Sequence, residues 1–296
     1  MLSAIVLSAG FGTRLRPLTE HLPKPLMPVG DRPMIAHVAE ALRRAGIERM
    51  VANTHHLAID FEHEIKRLGI DVEVVHEPEI LGTAGGVANA SAALGSGEIL
   101  IWNGDILAPA LDVQALRERF TVTRVATLWV VEPAAAGRGT VGLDEQGNVV
   151  RLRGEVFGTE VSGGEYLGIQ VMSPGLRATL PTKGCLVGDV ALPLLRRGGT
   201  IASFTFRDEW DDVGQPDALL RANMRWLERG GLSAWSAADA DIGPGVRLER
   251  SIVGAGARVR GHGAITESVV FPGAELSAPG DRVLVAKACR LVVGRA

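Results

Sequence analysis

The segment Leu7-Ser8-Ala9-Gly10-Phe11-Gly12-Thr13-Arg14-Leu15-Arg16 puts two glycines and two arginines directly after a short apolar run, Ala4 to Leu7. Gly10 and Gly12 let backbone amides point into one space with no Cβ in the way, and such nests of amides hold phosphate oxygens. Lys24, in Pro23-Lys24-Pro25-Leu26, adds a third cation downstream. Three cations beside a glycine-rich loop suit a triphosphate; the bland alternative is a surface turn with solvated charges. A dinucleotide fingerprint wants a third glycine where Leu15 stands, and a mononucleotide P-loop wants a Gly-Lys-Ser/Thr that this loop lacks. A nucleotide-cofactor oxidoreductase is disfavoured on that ground.

Two carboxylates stand out beside these cations. Asp105 follows Asn103-Gly104 at the end of an apolar run, and Asp212 lies in Trp210-Asp211-Asp212-Val213-Gly214 after a later one. Paired hard-oxygen ligands suit Mg²⁺, which prefers octahedral oxygen and keeps several waters. Asp105 could instead cap a turn, and Asp208, Glu209 and Asp211 crowd the second site. The 7 histidines show no metal-ligand spacing, and no Ser/His/Asp or Cys/His arrangement argues for a protein nucleophile.

Elements that could hold such residues alternate along the first 230 positions. Ala4–Leu7, Arg49–Thr54, Asp71–Val75, Glu98–Trp102 and Thr200–Phe206 read as strands. A helix capped by Asp31, with Pro33 in its first turn, reads to Ala45; Ile59–Leu68, Ala84–Leu94 and Pro216–Glu228 read as further helices. This alternation predicts an α/β fold, a mostly parallel sheet with helices on both faces, and ligands at the carboxyl ends of the strands. Residues 139–172 read as a β insert beside the main sheet, with a hairpin over Val141–Val150 and a strand over Glu165–Met172. Trp102 and Trp129, in apolar strands, read as core.

From about residue 240 apolar residues recur six apart, as in Val253, Val259 and Ile265, with glycines between them. Five-residue slips interrupt the period at 248–253 and 265–270. A six-residue period marks a parallel β-helix of two or three coils; the alternative is an irregular glycine-rich tail. The predicted domains are therefore 1–234 and 240–296, with Trp235–Ala240 as linker. A short coil leaves open strand edges. The apolar runs Val283–Ala286 and Leu291–Val293 are expected to be buried against the first domain or a second subunit, with a homodimer as the expected assembly. An acyltransferase built on such coils needs more of them, and His262 alone is a poor candidate for its catalytic histidine.

Composition removes other classes. With 296 residues, 46% hydrophobic and a net charge of −3, the chain can build a large core and carries no electrostatic footprint for nucleic acid. Its 2 cysteines are too few for a disulfide scaffold. No apolar run approaches the roughly 18–20 residues of a membrane helix. Neither a nucleic-acid nor a membrane partner is expected, and the expected compartment is the cytoplasm.

Taken in order, Gly10-Phe11-Gly12-Thr13-Arg14-Leu15-Arg16-Pro17 with Lys24-Pro25-Leu26, then Leu81-Gly82-Thr83-Ala84-Gly85-Gly86, Asn103-Gly104-Asp105, Glu165-Tyr166-Leu167-Gly168 and Trp210-Asp211-Asp212-Val213-Gly214 resemble the signature of sugar-1-phosphate nucleotidyltransferases. The tail is similar to that of members with a left-handed β-helix, so the likeness covers essentially the whole chain. It implies a Rossmann-like three-layer catalytic domain and attack by a sugar-1-phosphate oxygen on the α-phosphorus of a nucleoside triphosphate, releasing pyrophosphate. By resemblance, Leu7, Ala9, Gly10, Gly12, Thr13, Gly82 and Thr83 bind the nucleotide. Arg14 faces the β/γ-phosphates, Lys24 the reacting centre, and Asp105 and Asp212 hold Mg²⁺. Gly142 lets sugar approach the backbone and Glu165 accepts from its hydroxyls.

Glu77 matches the position that reads the base edge. A carboxylate accepts two donors from guanine, N1–H and N2–H, but one from uracil or thymine, which favours GTP and a manno-sugar-1-phosphate. Two departures concern the acceptor. Gly154-Glu155-Val156 replaces a Glu-Lys-Pro whose lysine meets the sugar phosphate, and Gly188-Asp189 replaces Lys-Asp. The short hairpin resembles uridylyltransferases acting on N-acetylmuramate-1-phosphate, which keeps UTP or dTTP open. A non-catalytic sugar-nucleotide-binding relative is the alternative from another class; such paralogues lose a metal carboxylate or loop cations, whereas Arg14, Lys24, Asp105 and Asp212 are all present.

Overall fold

The computed structural model describes residues 2–294. The outermost residues of the predicted domains, 1, 295 and 296, lie outside that range. Contacts divide the chain into two units that are each discontinuous in sequence. One runs through Gly10 and resumes over His37–Trp210; the other holds Phe11–Ala36 and the chain from Asp211 onward.

The first unit is built on a ten-stranded sheet. Its strands are β1 (Ser3–Leu7), β2 (Met50–Thr54), β3 (Glu73–His76), β4 (Ile99–Asn103), β5 (Thr127–Ala134), β6 (Val141–Leu143), β7 (Val149–Leu152), β8 (Glu155–Val156), β9 (Ser162–Met172) and β10 (Ile201–Thr205). β3, β2, β1 and β4 pair in parallel, as the alternating pattern predicts. β1, β2 and β4 are buried almost throughout, so they read as continuous apolar runs covered on both faces. Ile5, Val51, Ile99 and Ile101 form one core with Ala84, Val87, Ala90 and Leu94. The helix read over Ala84–Leu94 is two, Gly82–Asn89 and Ser91–Leu94, separated at Ala90.

The β insert belongs to the main sheet and does not stand beside it. β9 is eleven residues long. Its first part pairs with β6 and its last part with β4, both antiparallel, while β5 runs along its other edge. Gly168, at φ 75°, sits where the register with β5 shifts between Tyr166 and Gln170, so one strand serves two neighbourhoods. The hairpin between β6 and β7 turns on Asp144, whose Oδ1 accepts from the backbone N–H of Gln146 and Asn148.

In the second unit Asp31 does not cap a helix. Pro28–Val29 and Arg32–Pro33 form a hairpin around Gly30, and the helix starts at Met34. The Asp31 carboxylate is engaged by the Arg32 guanidinium. Asn223, on the helix Pro216–Arg229, accepts from Gly30 N–H and donates to Pro28 C=O, so a buried amide ties hairpin to helix.

The tail is a stack of parallel rungs. Trp235 pairs with Ile252 and Ile252 with Val269, each seventeen residues on; Asp241 pairs with Arg258 and Arg258 with Glu275 at the same spacing. Two six-residue steps and one of five make seventeen, so the slips are part of the repeat. Ser251 and Ser268 sit at the short step: Ser251 Oγ accepts from Ser268 N–H (3.0 Å), and Ser268 Oγ accepts from Val283 N–H (3.1 Å). Arg250, Glu267 and Arg282 stand just before Ser251, Ser268 and Val283 at positive φ, and the Glu267 carboxylate bridges the two arginines. Two expectations change. Trp235–Ser236, read as linker, is the first rung, with Trp235 set edge-on against Trp226. The edge of the last rung, Val283–Val285, is closed by the chain's own Arg290–Val292, which folds back antiparallel and leaves Val292 exposed. Among the described residues no helix is long and apolar enough to cross a membrane.

Candidate active site

In the first unit the loop after β1 is fixed from beneath. Ser8 N–H donates to Asn53 Oδ1 (2.8 Å), and Gly104 N–H donates to Leu7 C=O (2.9 Å). A Cβ on Gly104 would lie 2.7 Å from that carbonyl, which is why glycine precedes Asp105. Asp105 stands half-buried in the turn beyond β4. Trp102 Nε1 donates across the turn to Ile106 C=O (2.9 Å) and holds it. Ala9 is buried, and among the described residues nothing beyond the chain neighbours lies within 4 Å of a Cβ placed on Gly10.

The Gly82-Thr83-Ala84-Gly85-Gly86 turn packs backbone to backbone on 182–186. Ala84 N–H donates to Gly184 C=O (2.9 Å), Gly184 N–H to Leu81 C=O (2.8 Å), and Leu186 N–H to Thr83 Oγ1 (2.8 Å). Gly82 takes φ 75°, and a Cβ there would overlap the Gly184 carbonyl. Cys185 lies in the same segment. Burial pushes its thiol up, but the backbone N–H groups of Gly188 and Val187, the Thr83 hydroxyl and the Arg153 guanidinium outweigh this and hold it below the ordinary value.

Glu77 is fully buried and each of its oxygens accepts a hydrogen bond. Oε1 accepts from Asn53 Nδ2 (2.6 Å) and Oε2 from Leu81 N–H (3.1 Å). The carboxylate expected to meet the base edge is thus fully buried, with each oxygen already accepting one N–H.

On the expected sugar side, Glu165 Oε2 accepts from Thr140 N–H (3.2 Å). At Gly142 a Cβ would run into the Glu160 carboxylate and the Arg151 side chain. Those two residues form a half-buried pair, Arg151 Nε to Glu160 Oε2 at 2.7 Å. Arg151 also donates to the carbonyls of Arg138, Gly139 and Val141, while Glu160 accepts from Gly137 N–H (2.7 Å). Arg151, then the Gly137 N–H, hold the Glu160 carboxyl below the usual range. Sequence reasoning missed this brace because its partners are mostly carbonyls, which carry no side-chain signal.

The second unit holds the loop cations. Gly12 adopts φ 62°, and its carbonyl accepts from the Thr19 hydroxyl (2.9 Å). Leu15 and Leu18 are fully buried and anchor the loop, while Thr13 and Arg14 stay exposed; Lys24 is half-buried. The crowded acidic stretch sorts itself by strand alternation, since successive side chains of a strand face opposite ways. Asp211 is buried and paired with Arg225 (2.7 Å), whereas Asp212 is exposed. Gly214 borders both Asp212 and Arg14.

Among the described residues no group of three or more His, Cys, Asp or Glu side chains forms a metal cluster. Mg²⁺ takes one or two carboxylates and fills its shell with water and phosphate oxygens, so a site for it need not show such a cluster.

Comparison with known proteins matches residues 3–229 to the nucleotidyl transferase family. A protein of Oryza sativa subsp. japonica named "Probable mannose-1-phosphate guanylyltransferase 1" is 30% identical, covering 91% of this chain and 86% of that protein. The mannose-1-phosphate guanylyltransferase of Mycobacterium tuberculosis is 29% identical, covering 93% and 81%. HddC from Yersinia pseudotuberculosis, solved in complex with GMP-PN, shares the fold at a TM-score of 0.64 and 21% identity, covering 76% of this chain and all of that one. An apo UDP-glucose pyrophosphorylase structure does so at 0.64 and 17%, covering 78% of this chain. With the family match over residues 3–229 spanning the ten-stranded sheet and every ordered motif, the chain belongs to the nucleotidyl transferase family and is an enzyme of that class.

Proposed function

We propose that this enzyme joins GTP and mannose-1-phosphate, or a closely related manno-sugar-1-phosphate, into GDP-sugar and pyrophosphate. The observation that carries the reading is the 30% identity to a mannose-1-phosphate guanylyltransferase over nine-tenths of the chain. The guanine preference rests on that likeness and no longer on the Glu77 carboxylate.

In the reaction a phosphate oxygen of the sugar-1-phosphate forms a bond to the α-phosphorus while the bond from α-phosphorus to the β-bridging oxygen breaks. Both reactants are anions, so the work is orientation and charge neutralisation. The backbone of Leu7, Ala9, Gly10, Gly12 and Thr13 holds phosphate oxygens, Arg14 neutralises the leaving pyrophosphate, and Lys24 stabilises charge at the reacting phosphorus. Gly82 and Thr83 flank the base, and Glu165 accepts from sugar hydroxyls. Asp105 and Asp212 would hold Mg²⁺, which would supply screening of the phosphate charge. We assign the tail a left-handed β-helix and a role in packing and dimer assembly apart from the chemistry, supported by its seventeen-residue parallel rungs and, among the described residues, its lack of a carboxylate cluster.

The test is pyrophosphate release from a panel of nucleoside triphosphates and sugar-1-phosphates with Mg²⁺. GTP with mannose-1-phosphate is expected to give the highest kcat/KM. A higher value for UTP or dTTP overturns the base assignment, and no release with any pair overturns the activity.

A further inference from the structure

Asn53 and Glu77 form a buried relay between two loops that the proposed function assigns to the nucleotide. Ser8 N–H donates to Asn53 Oδ1, Asn53 Nδ2 donates to Glu77 Oε1, and Leu81 N–H donates to Glu77 Oε2, at 2.8, 2.6 and 3.1 Å. Glu77 is anchored in turn by its own backbone: its N–H donates to Thr54 C=O (2.8 Å), and its C=O meets His55 Nδ1 at 2.8 Å. Asn53 is 3% exposed and Glu77 fully buried. A buried carboxylate is costly unless its oxygens are satisfied, and here two N–H donors satisfy one oxygen each. The second glycine of Gly85-Gly86 belongs to the same arrangement: a Cβ on Gly86 would lie 2.6 Å from Asn53 Nδ2 and 2.7 Å from Glu77 Oε1.

We propose that Asn53 and Glu77 are positioning residues that couple the phosphate loop at Ser8 to the base-side loop at Leu81, and that Glu77 acts through Asn53 and Leu81 and not on the base. The proposal rests on the nucleotide reading of those loops. Its chemistry makes a reversible test. In Glu77→Gln the amide offers one acceptor where two donors need one. In Asn53→Asp two carboxylates face each other. Exchanging both, Asn53→Asp with Glu77→Gln, restores every bond: Ser8 N–H to Asp Oδ1, Gln Nε2 to Asp Oδ2, and Leu81 N–H to Gln Oε1.

Each single variant is expected to raise the Kd for GTP by calorimetry, and the KM for GTP, about tenfold, the worth of one or two buried hydrogen bonds. The KM for the sugar-1-phosphate stays near that of the wild type. The double exchange returns both nucleotide values to near wild type and leaves the ranking of GTP against UTP and dTTP unchanged. A folded double variant as impaired as the singles, or one whose base ranking has shifted, overturns the proposal, because a base-reading carboxylate cannot be replaced by an amide. Should a single variant fail to fold, the double exchange against wild type still decides. A wild type that binds GTP but turns over no sugar phosphate overturns the transferase reading alone; one that binds no nucleotide overturns both.

Discussion

The Arg14 guanidinium and the Asp212 carboxylate border one backbone position: a Cβ on Gly214 would lie 2.7 Å from Arg14 Nη2 and 2.8 Å from Asp212 Oδ1. The glycine of Trp-Asp-Asp-Val-Gly thus keeps space for a cation proposed to face phosphate and a carboxylate proposed to face metal. A side chain of any size at this position would press on both.

Gly214→Ala is therefore expected to disturb function more than folding. The atoms the new methyl meets are the ends of exposed side chains, which can swing away at little cost to stability, within about 1 kcal/mol. Their displacement misplaces both charges, and kcat/KM for pyrophosphate release should fall about a hundredfold. Thermal melting beside steady-state rates checks this; a variant as active as wild type refutes the coupling.

Adjacent aspartates should separate cleanly. Asp212→Asn leaves the melt unchanged and lowers turnover by about two to three orders of magnitude, with a higher Mg²⁺ requirement. Asp211→Asn weakens the buried pair with Arg225, costs about 1–3 kcal/mol in urea unfolding and keeps turnover in the folded fraction. The opposite pattern would transfer the metal role to Asp211.

At the short step of the tail, Ser251→Ala removes the acceptor of Ser268 N–H, and Ser268→Ala that of Val283 N–H. Each leaves a buried donor unpaired, which costs about 1–3 kcal/mol. Urea unfolding should show the loss while pyrophosphate release by folded enzyme persists. A loss of turnover without a loss of stability would tie the tail to the chemistry.

Much of this organisation is legible in the order of the amino acids. The apolar runs of β1, β2 and β4, covered on both faces, mark those parallel strands to within two residues, since hydrophobic burial acts locally. The period of the tail is visible too, but its five-residue slips look like noise until strand pairing makes them the regular corner of a seventeen-residue rung. What stays hidden is set by partners distant in sequence. Nothing near Asp31 says that Asn223, almost two hundred residues on, holds Gly30 in a hairpin. Sequence shows the charge of Glu77 but not that Asn53 and Leu81 each donate to one of its buried oxygens.

The two cysteines should part in reactivity. At Cys185 burial raises the thiol, but the N–H groups of Gly188 and Val187, the Thr83 hydroxyl and the Arg153 guanidinium, with Nη2 at 3.7 Å from Sγ, favour the thiolate and win. At Cys289 burial and then the Glu20 charge both push the thiol up. The thiolate is the nucleophile, so a lowered value extends alkylation to lower pH and a raised one delays it to higher pH. In a pH series of iodoacetamide labelling read by mass spectrometry, the Cys185 profile should lie below that of a free thiol and the Cys289 profile above it. Arg153→Gln removes one stabilising charge while leaving the backbone donors, so it should move the Cys185 profile upward without touching that of Cys289. Coincident profiles for the two cysteines, or a Cys185 profile indifferent to Arg153, would mean that the 185–189 segment does not hold the thiolate as described.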